Sequence, residues 1–420
     1  MPELNRRTFV GASLATGLST SLALGDDSVV KLGVLGTGGR GTSLSQSFAK
    51  ISGVEVHAVC DTDASRMGMA AAALKKTTGL EPKQEADFRK VLEMKDLNAV
   101  VIASPNHWHA PMAILACKAG KHVYVEKPCS HNPREGEILV EVARKHQRHV
   151  QMGNQRRSFP AIQEACKAVQ EGIIGRAYLA EAWYYNTRGS IGIGKLEPAP
   201  EGLDYKLWQG PAPEKPFKSN YLHYNWHWFW HWGNGELGNN GVHMLDTCRW
   251  GLGVDYPTAV TSSGGRYHFE DDQETPDTHS VAFEFEGRKQ IRWYGFSCVV
   301  CPNGQQADVV FYGDKGSLAV RGGSYTVYDL KGKEIKKVAG KDGTAAHFEN
   351  FIATIRGQAT LNSEISEGHR TTLLCHLGNI AHRVGRRLKC DPKNGKILDD
   401  GEAMKLWSRE YARGWEPTVS

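Results

Sequence analysis

The stretch Val29-Val30-Lys31-Leu32-Gly33-Val34-Leu35 runs straight into Gly36-Thr37-Gly38-Gly39-Arg40-Gly41, and this junction leaves the first part of the chain few options. An apolar run rich in branched residues reads as a buried strand, and G-x-G-x-x-G at its end opens a helix, Thr42 to Lys50. Gly36 permits the tight turn, Gly38 lets the backbone approach a pyrophosphate, and Gly41 brings helix and strand together. The helix N-terminus offers unpaired N–H groups and a positive dipole end to phosphates. A second strand, Val54 to Cys60, ends at Asp61, twenty residues past Gly41. An acidic side chain there accepts hydrogen bonds from adenosine ribose hydroxyls and favours NAD over NADP. Arg40 and Arg66 would suit a 2′-phosphate, so NADP is the alternative.

The alternation continues with strands at Asn98 to Ala103, His122 to Val125 and Val150 to Gly153, and helices at His109 to Lys118 and Pro133 to His146. Strand and helix in turn imply an α/β class with a parallel sheet wrapped by helices. Ligands of such sheets lie beyond the carboxyl ends of the strands. Three of those ends carry polar clusters: Ser104-Pro105-Asn106-His107-Trp108-His109, Glu126-Lys127-Pro128 and Asn154-Gln155-Arg156-Arg157.

Near the amino terminus, Arg6-Arg7-Thr8-Phe9-Val10 precedes a weakly apolar run that is too short to span a bilayer. A basic pair, a modest apolar stretch and the small residues before Asp26-Asp27 describe a removable export signal of the twin-arginine type, and hence a periplasmic or otherwise exported protein with no membrane anchor after processing. About 395 residues then remain, enough for two domains. With 23% charged residues, a formal charge of +5 and no basic block interleaved with aromatics, nucleic acid is not expected as a partner. The nine cysteines are scattered, and Cys298-Val-Val-Cys301 has neither a second pair for zinc nor the helical context of a redox motif. Cysteines used as small apolar residues suit a protein folded in a reducing compartment before export.

The runs GTGGRG, ASPNHWHAPMAILACKAGKHVYVEKP and GNGELGNNGVHMLD together resemble the glucose–fructose oxidoreductase, inositol dehydrogenase and rhizopine-catabolism family, Gfo/Idh/MocA. The resemblance covers essentially all of the chain after residue 28, and the ending from Cys375 to Pro392 resembles an exported bacterial branch. It implies an N-terminal Rossmann dinucleotide-binding domain (29–155) after the signal (1–28). It also implies a C-terminal α+β substrate domain (156–420) with an open, mostly antiparallel sheet whose far face often serves oligomerisation. Carried over residue by residue, Gly36, Thr37, Gly38, Gly39, Arg40 and Gly41 hold the pyrophosphate and Asp61 the ribose. Ser104, Asn106, His107, Trp108 and His109 line the nicotinamide side, Glu126 and Lys127 flank the reacting carbon, and Asn154 closes the site. In the second domain the family's D-x-x-x-H-x-x-D falls on Asn239, His243 and Asp246, with His243 catalytic and Asp246 its carboxylate partner; Asn239 departs from the usual aspartate.

The chemistry of Lys127 and His243 also follows from their residue types. Taking hydride from a carbinol carbon requires the hydroxyl proton to leave, and a partly desolvated lysine amine can accept it. A histidine can pass the proton onward, with a carboxylate fixing its tautomer. The alternative for each is a solvated lysine and a structural histidine.

From Ala177 onward the periodicity changes to strands with one wet face, including Tyr178 to Asn186, Val260 to Gly265, Ser280 to Phe285, Gln290 to Gly295 and Ala307 to Tyr312. Helices follow at Ala346 to Arg356 and His369 to Arg387. Between the strands lies HYNWHWFWHWGNG, His223 to Gly235, whose tryptophans serve as core or as platforms for sugar rings. His223, His227 and His231 stand four apart, a spacing that on a helix could gather a metal, but the segment is a poor helix without an acidic ligand, and no metal is expected. Arg157, Tyr185, Asn186, Arg188, Asn239 and His243 are candidate substrate contacts. The expected activity is NAD-dependent hydride transfer at a carbinol carbon of a sugar, polyol or glycoside. Its variants are a redox-neutral glycosidase or sugar–sugar oxidoreductase that keeps its NAD, since some exported members of the family are α-N-acetylgalactosaminidases, and a non-catalytic sugar-binding protein.

Overall fold

The computed structural model describes residues 29–302 and 307–420, so the export signal expected at 1–28 lies outside the described residues. The first sheet is built from β1 (Val30–Leu35), β2 (Val54–Cys60), β3 (Lys83–Glu85), β4 (Ala99–Ile102), β5 (His122–Val125) and β6 (Val150–Met152). Its order is β3-β2-β1-β4-β5-β6, and every pairing is parallel. The order reverses between β1 and β4, which opens a crevice at their carboxyl ends.

Local sequence sets the helices of this half. The first, α1 (Gly39–Phe48), starts three residues earlier than the motif suggests, because glycines carry the chain directly into the helical turn. Next, α2 (Ala64–Thr78) begins where the Asp63 carboxylate accepts from the Ser65 and Arg66 amides and stops at Gly79 with φ 77°. A short α3 (Phe88–Glu93) follows, and α4 (Asn106–Lys118) takes the whole Asn-His-Trp-His cluster into its first turn. Asn132 caps α5 (Pro133–Lys145) through the Glu135 amide, with proline at the first helical position.

Beyond α6 (Pro160–Gln170) the second sheet has eleven strands. Its centre is β7 (Ala177–Thr187), and after a short α7 (Tyr205–Gln209) and α8 (Val242–Leu252) come β8 (Ala259–Gly265), β9 (Thr278–Phe285), β10 (Lys289–Phe296) and the short β11 (Cys298–Val299). The rest are β12 (Val309–Gly313), β13 (Gly316–Arg321), β14 (Ser324–Asp329), β15 (Glu334–Val338), β16 (Leu388–Cys390) and β17 (Ile397–Leu398). All neighbours are antiparallel except β7 and β10, which run parallel because a long excursion containing α7 and α8 separates them. Alternate residues of β9, β12 and β13 are buried against helices, giving one packed face and one wetter face.

Two late helices, α9 (Thr344–Ile355) and α10 (Ile365–Val384), return to the first sheet. Phe348 of α9 lies 5.0 Å from the Phe48 ring, and Phe351 lies 5.9 Å from Tyr124, all four rings being buried. Each buried aromatic of this kind contributes roughly 1.5–3 kcal/mol through burial. The cluster ties the two halves together around the crevice. All nine cysteines are unpaired. Among the described residues no helix is long and apolar enough to cross a membrane.

Candidate active site

A cleft of about 600 Å³ opens at the carboxyl ends of β1, β2, β4 and β5, where the glycine turn, α4, α8 and the aromatic stretch meet. The glycine turn is shaped by close approach. Gly36 has φ 85°, and a Cβ there would stand 2.6 Å from the Ser104 amide nitrogen. A Cβ on Gly41 would stand 1.8 Å from the Gly36 carbonyl oxygen, so α1 packs on β1 only with glycine there. Gly38 and Gly39 differ, since a Cβ on either meets nothing within 4 Å. They face open space at the start of α1, whose first turn has no side-chain cap and no acidic residue. Unpartnered N–H groups, room for an anion and a positive helix end together fit a pyrophosphate. The buried Ser104 hydroxyl lines the same cleft without a hydrogen-bond partner among the described residues.

Asp61 stands at the edge of this cradle. Its carboxylate accepts from the Thr37 amide at 2.6 Å, the Thr37 hydroxyl at 3.1 Å and the Asp63 amide at 3.0 Å. Burial pushes its pKa up, while those hydrogen bonds oppose the shift. Arg40, a candidate for a 2′-phosphate, instead donates from Nε to Glu126 Oε1 at 2.8 Å and lies 2.7 Å from it through Nη2. Arg66 lines the cleft near Asp61.

The Asn106–His109 cluster divides in two. Asn106, Trp108 and His109 line the cleft, Asn106 also donating to Asn234 Oδ1 at 3.1 Å. His107 does not reach it. Its Nε2 and the Trp108 indole both meet the Trp208 carbonyl at 2.9 Å, and burial lowers its pKa to about 3. His109 is bracketed by the Pro128 carbonyl at 2.6 Å and the Ser104 carbonyl at 2.7 Å, bracing two strand-end loops against each other. Asn154 is buried outside the cleft lining, with both side-chain polar atoms unpartnered among the described residues.

Lys127 projects into the cleft half-buried and donates to the Asn239 carbonyl at 2.7 Å and the Asn239 side-chain oxygen at 2.9 Å. A π-type turn, Leu237–Gly241, precedes α8 and presents Asn239 to this lysine. Such turns re-aim side chains at functional sites. Burial lowers the Lys127 pKa, with neighbouring Glu126 and Glu236 opposing. His243, the second residue of α8, also lines the cleft. Burial, reinforced by the Lys127 charge, holds its pKa well below the ordinary histidine value, and its ring makes no hydrogen bond to another described residue. Asn239, standing where the resemblance led one to look for an aspartate, is thus an acceptor for lysine without a charge of its own.

Asp246 is not the partner of His243. Both of its oxygens are taken: Arg157 donates from Nε at 2.8 Å and Nη2 at 2.9 Å, and the Thr371 hydroxyl donates at 2.7 Å. Arg157, expected among the substrate contacts, is consumed by this buried pair and by stacking on Trp250 at 5.2 Å. Removing one partner of a buried pair strands the other charge. Asp246→Ala is therefore expected to lower stability by about 3–5 kcal/mol, measured by urea denaturation, while substrate KM in the folded fraction stays near normal. A normal stability with lost turnover would restore the catalytic role.

Tyr185 and Asn186 also lie away from the cleft. Tyr185 stacks on Phe296 at 4.9 Å on the outer side of the sheet, and Asn186 donates to the Tyr184 hydroxyl at 2.7 Å. Arg188 stands behind the cleft, where it donates to buried Glu236 at 2.6 Å and lies 4.8 Å over Trp228. The aromatic stretch supplies further cleft residues, of which the sequence marks His227 by number, and that for its four-residue spacing. Tyr224, Trp226 and His227 line the cleft around a 3₁₀ turn, Asn225–Trp228. The Asn239 amide donates to the Tyr224 hydroxyl at 3.3 Å, which links that ring to the Lys127 contact. His227 stacks on Trp226 at 3.5 Å, and its Nδ1 meets the Tyr224 carbonyl at 2.7 Å. That contact assigns the proton to Nδ1 and leaves Nε2 as an acceptor. Burial keeps this imidazole well below its ordinary pKa. The three histidines at helical spacing diverge, with His223 turned to Asp63 at 3.2 Å and His231 to the Pro213 carbonyl at 2.8 Å. Trp232 is fully buried in the core beside Trp208.

Comparison with known proteins agrees with this architecture. Residues 30–154 match the profile described as an oxidoreductase family, NAD-binding Rossmann fold, and residues 143–417 match that family's C-terminal alpha/beta domain. Among curated relatives, a glycosyl hydrolase family 109 protein of Shewanella sp. (strain W3-18-1) is 31% identical over 160 residues, covering 37% of this chain and 35% of the relative. One from Solibacter usitatus is 34% identical over 157 residues, 34% of this chain and 36% of the relative. The chain thus matches only about a third of the length of these relatives. Among solved structures, the WlbA dehydrogenase of Bordetella pertussis, in complex with NADH and UDP-GlcNAcA, is 20% identical with a TM-score of 0.66, covering 86% of this chain and 99% of that one. An aldose-aldose oxidoreductase of Caulobacter crescentus, complexed with glycerol, is 19% identical with a TM-score of 0.66 at the same two coverages. At these identities the solved structures speak for the fold. With a glycine cradle over the switch point, a second open sheet, and matches to both halves of one profile pair, the chain belongs to the Gfo/Idh/MocA oxidoreductase family.

Proposed function

We propose that this protein catalyses NAD-dependent hydride transfer at a hydroxyl-bearing carbon of a carbohydrate. The observation that carries the reading is the grouping of Lys127, His227 and His243 in the cleft that contains the glycine cradle. A bound nicotinamide supplies the hydride acceptor. Lys127, its ammonium disfavoured by burial, takes the hydroxyl proton as the carbonyl forms. Asn239 holds the amine in place through two oxygens, and neutral His243 stands ready to pass the proton onward.

The second imidazole favours a redox-neutral course with retained NAD. Expelling a glycosidic oxygen beside a transient carbonyl needs one group to remove the acidified C–H proton and another to protonate the leaving oxygen. His227 and His243, both neutral, give the cleft two proton carriers beyond Lys127. The family 109 name of the partial relatives accords with this course. The test is to dialyse purified protein extensively, then assay glycosides and free sugars with and without added NAD. Many turnovers without added NAD and without net NADH support the redox-neutral course; NADH accumulating in step with product leaves plain dehydrogenation. Absence of hydride transfer with any sugar or glycoside would leave only sugar binding.

We infer NAD rather than NADP from Asp61, because a carboxylate repels a 2′-phosphate. Asp61→Ala should weaken NAD binding by about tenfold, the loss of one charged hydrogen bond, and narrow the preference over NADP in fluorescence titrations. Wild-type preference for NADP would remove the argument. Export by the twin-arginine route and self-association through the wetter sheet face complete the reading. The half-buried Trp183–Tyr294 stack at 5.9 Å on that face supports the association. Amino-terminal sequencing of exported protein and sedimentation equilibrium measure the two.

A further inference from the structure

A second cavity of about 660 Å³ lies apart from the dinucleotide cleft, between the start of α5, one face of α10, the loop after Phe229 and residues 405–410. Four cationic side chains line it, Lys215, Arg383, Lys405 and Arg409, against two carboxylates, Glu274 and Glu410. Among the described residues none of the four forms an ion pair. Surface cations often lack partners because water serves them. Arg409 is different, since it is largely enclosed and burial lowers its pKa. Its Nη1 donates to the His231 carbonyl at 2.9 Å and meets His131 Nδ1 at 3.3 Å, and its Nε donates to the Glu410 carbonyl at 3.2 Å, while Nη2 has no hydrogen-bond acceptor among the described residues. The nearest buried carboxylate, Glu135, is committed to the His131 amide at 2.8 Å and the Tyr411 hydroxyl at 2.9 Å.

Across the cavity, Arg383 lies 5.3 Å over the Trp230 ring and makes no hydrogen bond to any described residue. Stacking fixes the guanidinium plane while leaving its N–H groups unspent. Glu274, the nearest countercharge, is turned to the Trp230 amide at 2.7 Å. Two arginines with unspent donors facing one cavity are the donor set that takes up a carboxylate, sulfate or phosphate group. An inorganic anion would fill only a small part of this volume, so the ligand has a body as well as a charged group.

We propose that this cavity binds a small organic oxyanion, a sugar acid or a sugar bearing sulfate or phosphate, held by Arg383 and Arg409. The site shares a wall with the cleft. Asn234 lines the cavity, accepts from Asn106 at 3.1 Å and donates to the His131 carbonyl at 2.9 Å, so it joins the two without opening one into the other.

The experiment titrates the mature protein calorimetrically with glucuronate, glucose and inorganic sulfate at matched ionic strength, with NADH saturating the first cleft. Saturable glucuronate binding, tighter than sulfate and absent for glucose, is expected. Arg383→Gln, an exposed position that should fold normally, should weaken glucuronate by about tenfold, the loss of one charge-assisted contact. Arg409→Gln should do likewise where it folds. No saturable binding by wild type, unchanged affinity in Arg383→Gln, or binding that vanishes when NADH is added would overturn the proposal. Sulfate binding as tightly as glucuronate would overturn the organic ligand.

Discussion

Lys127→Met should bind NAD nearly as wild type does and lose turnover on the order of 10²-fold or more, the usual cost of removing a positioned acid–base group. Methionine keeps the length and most of the apolar contact of lysine but cannot take a proton. It also cannot donate to Asn239, which then retains Glu236 and the Tyr224 hydroxyl as neighbours. The loss should therefore appear in kcat rather than in folding, measured by NADH fluorescence titration beside steady-state rates. His243→Ala and His227→Ala sharpen the reading. If both imidazoles carry protons, each variant should lose kcat with a smaller change in KM. Wild-type turnover in Lys127→Met would remove the lysine from the reaction and, with it, the present account of the cleft.

The nucleotide half was legible because its signals are local. A glycine needing φ 85° at Gly36, a strand before it and Asp61 after the next strand lie within a few dozen residues, and each has one physical reason. Lys127 was legible for the same cause, standing at the carboxyl end of β5. The substrate side was not. Arg157 and Asp246 are 89 positions apart, and nothing near either residue announces that they neutralise each other. Read singly, an arginine beyond a strand and an aspartate three residues after a histidine both look functional, and only packing shows them spent on each other. Arg188 and Glu236, 48 positions apart, repeat the lesson. The aromatic stretch misled in another way. Four-residue spacing matters only on a regular helix, and here a short 3₁₀ turn and loops send His223, His227 and His231 in three directions. What the spacing of His227 did not show is that its ring faces the cleft, a placement set by the 3₁₀ turn.

The protein should also be steeply acid-sensitive, for reasons in the core rather than the cleft. Burial lowers His107, His122, His279 and His376 to about 3, and His347 and His369 to about 4. All six are less than a tenth exposed and are held neutral by placement. His347, for example, meets the Met152 carbonyl through Nε2 and the Ser158 hydroxyl through Nδ1, two contacts that a neutral ring satisfies with a single proton. The unfolded chain takes up protons on these side chains near the ordinary value of about 6.5, whereas the folded chain does not until near 3 or 4. Between those limits the unfolded state binds more protons, so stability falls as pH falls. At about pH 5 each imidazole costs about 2 kcal/mol, and the six together about 12 kcal/mol, comparable with a typical total stability of roughly 5–15 kcal/mol. Glu135 acts in the opposite sense. Burial pushes its carboxyl up to about 7, so it favours the folded state as pH drops through that value, but it is one group against six. Urea denaturation at about pH 7.5 and about pH 5, at equal ionic strength, should therefore show the midpoint collapsing in the more acidic buffer. The loss should set in at the ordinary histidine pKa, where the imidazoles begin to charge in the unfolded chain, and reach its full slope at about pH 5, midway between the unfolded and folded values. A midpoint that held steady to about pH 5 would mean that the buried imidazoles accept protons in place, and the packing described around them would be wrong.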